Sequence, residues 1–220
     1  MQPQGAAPSP TIPPASSVRL ANFALASLAA FVLASLALHA LRPELDPVRS
    51  QMSLYLIGKG GHLLQAAYCG LSVGMVALAL GLYRALAPAA RSAAPLLLFA
   101  LAGLSLTVTA FAWMDMPGVD RTVEGLIHGV SAQAAFLFAT TGAILQALRF
   151  GHDPAWRGHR RWALPWALAC FGAVWVLALW REAPRGLAQK AVIGLILGWM
   201  AVAAWQLRTQ ARAGNADILT

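Results

Sequence analysis

Long apolar runs broken by short polar stretches set the plan of this chain. The first, Leu20–Leu41, is almost entirely Ala, Leu, Val, Phe and Ser. Five more follow at Gly60–Tyr83, Ala93–Met114, Gly125–Leu148, Trp162–Trp180 and Lys190–Leu207. Each is long enough to cross a hydrocarbon core of roughly 30 Å as a helix. With no water in that core, a helix is the default because it satisfies its own backbone polar groups. A closed barrel would need short strands alternating polar and apolar residues, and no such alternation occurs. The expectation is an all-α polytopic membrane protein, with six transmembrane helices in a compact bundle. Short connectors make successive helices antiparallel neighbours. Residues 18–208 form the transmembrane domain, 1–17 a disordered Pro-, Ala- and Ser-rich tail, and 209–220 a short C-terminal tail.

Composition sharpens this picture. The chain of 220 residues is 59% hydrophobic and only 11% charged, against about 25% in soluble domains. Its net charge of +8 could suggest nucleic acid, but the Lys and Arg residues fall between apolar runs and form no continuous basic face, so a nucleic-acid partner is excluded. Cys69 and Cys170 lie in different runs without a CxxC pair, and no cofactor is indicated. The first run is longer than a signal peptide's apolar core, and Leu38-His39-Ala40 lacks the small-x-small cleavage pattern, so it reads as a retained helix.

The distribution of Lys and Arg sets an orientation. Arg19, Arg84, Arg91, Arg149, Arg157, Arg160, Arg161, Arg208 and Arg212 fall on one side, with the densest cluster between Arg149 and Arg161. Loops facing the cytoplasm retain such residues, which places both termini in the cytoplasm. Small-xxx-small pairs, which let membrane helices pack closely, occur at Gly70/Gly74, Gly125/Gly129 and Gly194/Gly198.

Most of the acids and three of the five histidines then share the outer side. His39 ends the first span and His62 begins the second. Asp115 ends the third, and His128 lies one turn inside the fourth. In LDPVRSQMSLY, Asp46 is a good N-cap and Pro47 suits the first helical position. A short helix from Pro47 to Leu56 would put Arg49 and Ser53 on one face, roofing a cavity between the first, second and fourth spans. In MDMPGVDRTVEGLIHG, Pro117-Gly118 signals a turn and Asp120 can cap the fourth helix. Asp120, Glu124 and His128 are then spaced i, i+4, i+8 along one face. Arg121, Arg181, Arg185 and His128 are candidate partners for Asp115 and Asp120.

Several readings of this outer constellation compete. One is purely structural: caps, loop ion pairs and interfacial histidines, in a protein that serves as a structural partner in a membrane complex. Another is a pocket for a lipid headgroup or small solute, with Arg42, Arg49 and Lys59 holding an anion. A third is a hydrolytic or metal site built from His39, His62, His128 and Asp115, in which zinc would activate water; no HExxH or similar close-spaced ligand pair accompanies it.

The six-span plan, the stretch DPVRSQMSLYLIGKGG, Asp115 and His128 resemble an uncharacterised bacterial family catalogued as domain of unknown function number 998. The resemblance covers Leu20 to Arg208. It rests on Ser53 after the first outer loop, Gly residues opening the second span, an Asp closing the third and a His early in the fourth. It implies the fold and topology and draws interest to Ser53, Asp115 and His128. It implies no reaction.

Overall fold

In a computed structural model, residues 15–116, 118–180 and 182–216 are described. The helices are α1 (Ala15–Leu41), α2 (Gly61–Ala85), α3 (Ala93–Phe111), α4 (Val123–Gly151), α5 (Arg160–Leu179) and α6 (Arg185–Ala216). All six are long and apolar enough to cross a membrane, and no strand occurs among the described residues. Each helix packs on the next, and α1 closes the bundle against α6, while α4 barely touches α6. That loose seam positions the cavities described below.

Close packing uses single small residues rather than pairs. A Cβ on Gly74 would stand 2.6 Å from Ser27 of α1, and one on Gly198 would stand 2.8 Å from Trp166 of α5. A Cβ on Gly125 would strike the Asp115 carboxylate. Their expected mates Gly70, Gly129 and Gly194 have open space where a Cβ would be, so none of the three pairs acts as a two-residue contact. Gly103, outside those pairs, lies close to α2: a Cβ there would stand 2.9 Å from the Ser72 carbonyl.

The connection from α1 to α2 departs from the single helix expected. Asp46 does cap a turn: its Oδ1 accepts from Val48 N at 2.7 Å, and Ser50 N donates to the Asp46 carbonyl at 2.7 Å. The helix then breaks at Gln51, which is extended (φ −68°, ψ 155°), and a 3₁₀ segment follows over Met52–Leu56. Tertiary partners cause the break, because α6 takes the groups a continuing helix would have used. Gln189 Oε1 accepts from Met52 N at 2.8 Å. Lys190 Nζ donates to the carbonyls of Pro47 and Ser50 at 2.8 and 2.7 Å. Leu187 N donates to the Val48 carbonyl at 2.9 Å. The segment is therefore fastened across the start of α6. Gly58 and Gly60, at φ +86° and +81°, then turn the chain sharply into α2, a conformation that L side chains resist.

The third helix ends at Phe111, short of the expected Met114, because the chain beyond it folds back on α4. Trp113 N donates to Glu124 Oε1 at 2.9 Å. Thr122, not Asp120, caps α4: its hydroxyl accepts from Gly125 N at 3.0 Å. Pro117 and Arg181, named from the sequence as a turn residue and an ion-pair candidate, lie outside the described residues.

Candidate functional site

The α1–α2, α3–α4 and α5–α6 connections meet at one end of the bundle, the polar end. Between them lies an open cleft of about 330 Å³. Its walls bring together Ser53 from the 3₁₀ segment, Asp115 from the α3–α4 connection, His128, Gly129 and Gln133 from α4, and Arg185 and Gln189 from α6.

Each polar wall group is held by a specific neighbour. His128 is buried, and its Nδ1 lies 2.7 Å from the Ala112 carbonyl. A carbonyl only accepts, so Nδ1 carries the hydrogen and Nε2 keeps its lone pair in the neutral ring. Asp115 Oδ1 accepts from the hydroxyl and backbone N of Thr122 at 2.7 and 3.2 Å. This places the carboxylate against the start of α4, where the helix dipole favours negative charge. Arg185 spends one N–H on the Leu177 carbonyl at 2.8 Å, which fixes the guanidinium at the cleft wall. Ser53 is nearly inaccessible to bulk solvent, yet it lines both this cleft and a smaller apolar chamber deeper in the bundle.

Ser53, Asp115 and His128 are thus placed together, and the other residues singled out in the sequence are not. Arg42 donates to Glu44 and, at 2.6 Å, to the Ile57 carbonyl, which ties the end of α1 to the approach to α2. That bond holds the exposed Glu44 carboxyl below its usual pKa. Arg49 projects into solvent with its side chain 88% exposed, 3.9 Å from Asp46, so it shares no face with Ser53. With Lys59 exposed as well, the expected triad of Arg42, Arg49 and Lys59 around an anion does not form. Asp46 is spent on capping. Asp120 precedes α4, so the expected stripe keeps only Glu124 and His128, which bond the neighbouring Trp113 N and Ala112 carbonyl. Among the described residues Asp115 is held by Thr122.

The histidines also stay apart. His39 Nδ1 lies 2.6 Å from the Ser35 carbonyl, and its ring rests on Tyr55 at 4.7 Å. His62 Nδ1 lies 2.8 Å from Gln65 Oε1. Among the described residues no three His, Cys, Asp or Glu side chains gather as a metal site requires, so the set of His39, His62, His128 and Asp115 is not a ligand sphere. Gln133 and Gln189 are the cleft's additions to the sequence reading, Thr122 is the added support behind Asp115, and Arg185, expected as an ion-pair partner, lines the cleft instead. Gln65, by contrast, makes an ordinary interhelical bond, its Nε2 donating to the Ala110 carbonyl at 3.1 Å.

Comparison with known proteins bears on this arrangement. A family model described as "Protein of unknown function (DUF998)" matches residues 25–206. The chain belongs to that family. The matched span begins within α1 and ends within α6, so it takes in every wall of the cleft. No curated protein and no solved structure matches. Membership brings the six-helix chain a family and no activity.

Proposed function

We propose that this integral membrane protein binds a lipid headgroup, or a small solute of the same chemistry, in the cleft at its polar end. In this reading the cleft faces outward, both termini lie in the cytoplasm, and the membrane is a bacterial inner membrane. The observation that carries it is the joining of unlike groups around one cleft: a fixed guanidinium, a carboxylate, an imidazole with a free Nε2, and the three carboxamides of Gln51, Gln133 and Gln189. Arg185 suits a phosphate. Asp115 and the His128 Nε2 suit an amine or hydroxyl donor. Ethanolamine phosphate and glycerol phosphate carry both parts. Charged groups in lipid are expensive unless they serve a purpose such as this.

The test is thermal denaturation in detergent with added glycerophosphoethanolamine. The wild-type melting temperature should rise. Arg185→Ala should remove the rise, since a charged hydrogen bond contributes about 1.5–3 kcal/mol. An unchanged wild-type melting temperature at saturating headgroup would end this reading.

A further inference from the structure

One further cavity continues from the cleft, and another adjoins it in turn. The apolar chamber, about 70 Å³, lies beneath it and shares Ser53, Ala132, Phe136 and Gln189 with its wall. A groove of about 260 Å³ runs between α1 and α6. Groove and chamber share Phe31, Ile193 and Leu197, so these three side chains are the partition between them. The groove opens on the lipid-facing surface, where Val32 and Leu36 on its rim are exposed. At its polar end stand His39, Met52 and Lys190, the last two bonded into the roof. The exposed rim at Val32 and Leu36 gives a molecule in the hydrocarbon a sideways approach to the chamber.

We propose that α1 and α6 form a lateral portal through which one hydrocarbon chain of a membrane phospholipid enters the central chamber, with Phe31, Ile193 and Leu197 as the gate. This rests on the headgroup reading and extends it from a water-side ligand to a whole lipid. The occupant follows from what surrounds the opening, since an apolar groove facing a bilayer meets acyl chains. It also follows from the order of the cavities. Groove, chamber and cleft run from apolar to polar, as a phospholipid does from chain to headgroup. Gly194 keeps the groove clear, for it lines the groove and nothing lies within 4 Å of where its Cβ would be.

The test uses phosphatidylcholine vesicles doped with phosphatidylethanolamine bearing a mid-chain diazirine. After photolysis, crosslinked residues are mapped by peptide mass spectrometry. Wild-type protein should be labelled at Phe31, Ile193 and Leu106 as well as on the lipid-facing Leu104 and Leu168. Gly194→Phe fills the groove and should reduce Phe31 and Leu106 labelling to background, with Leu104 and Leu168 unchanged. Leu36→Trp, from the opposite wall, should do the same and serves if the first variant folds poorly. Gly172→Phe adds the same ring in open space on α5 and should change nothing. Chamber labelling that survives both blocking variants overturns the portal. Absence of chamber labelling in the wild type overturns it too, and a melting shift retained with chain-free glycerophosphoethanolamine would then leave the headgroup reading standing alone.

Discussion

The two ends of the bundle use the same device to opposite effect. At the basic end, Asp153 in the α4–α5 connection accepts from Ala87 N at 2.7 Å and Ala155 N at 2.8 Å, which locks the α2–α3 connection to it. Asp153 is buried, and Trp156 of the same turn stacks on Phe150 at 4.9 Å. At the polar end, Asp115 likewise binds a neighbouring turn through Thr122, but it remains half-buried on the wall of an open cleft. One carboxylate is buried and used up in holding loops together. The other holds its turn and still faces free volume. Both make the same kind of hydrogen bond; the space left beside each is what separates them.

Asp153→Ala attacks the closed end and should have the largest effect on stability, roughly 2–4 kcal/mol, because two backbone donors lose a charged acceptor at once. Denaturation in mixed micelles reads the loss, while the response to headgroup at the far end should persist in the fraction that folds. Gly125→Ala attacks the polar end. Its methyl group must displace the Asp115 carboxylate, for about 1–3 kcal/mol of overpacking together with loss of the headgroup-induced melting shift.

His128→Ala should cost about 1–3 kcal/mol, because it leaves the Ala112 carbonyl unpaired, and it should remove most of the melting shift. A stability loss comparable to that of Asp153→Ala, with the shift intact, would make His128 a structural residue like those at the basic end. Glu44 provides a smaller test by pH. Its bond to Arg42 lowers the folded pKa below the ordinary 4.5. The stabilisation is therefore complete above that ordinary value and is lost as pH falls through the folded value. Glu44→Gln should flatten the acid limb of the melting curve and leave the neutral region alone. The smallest effect belongs to Arg49→Ala: its exposed side chain should change stability by less than about 0.5 kcal/mol, with the headgroup response unchanged. A lost response would return Arg49 to the cleft.

What the sequence could disclose tracks how local each feature is. The spans were legible because apolar length is written in consecutive residues. The outer two turns of α6 were not, since Arg185 and Gln189 read as connector and become helix, with Leu187, Gln189 and Lys190 bonded to the α1–α2 roof. Arg49 and Ser53 looked co-facial under an uninterrupted helical period, and the break at Gln51 undoes that period. Asp120 and Thr122 are both competent caps by type; the fold places Thr122 against Asp115, and nothing within the connector's own sequence distinguishes the two. Ser53, Asp115 and His128 could be named singly because each is a polar residue at the edge of an apolar run. Their shared cleft with Arg185 and Gln189 is a non-local fact.

The roof over the α1–α2 turn is stitched to the opening turns of α6, which leaves the ribosome after the five helices before it. A nascent chain carrying five helices has Val48, Ser50 and Met52 without their partners and one wall of the cleft missing. Synthesis thus proceeds from an unfinished, open-sided bundle to a sealed one in a single late step. Quality-control proteases that sample exposed loops would see the difference, and chains truncated before Arg185 should be degraded even though most of their hydrophobic mass is already in the membrane.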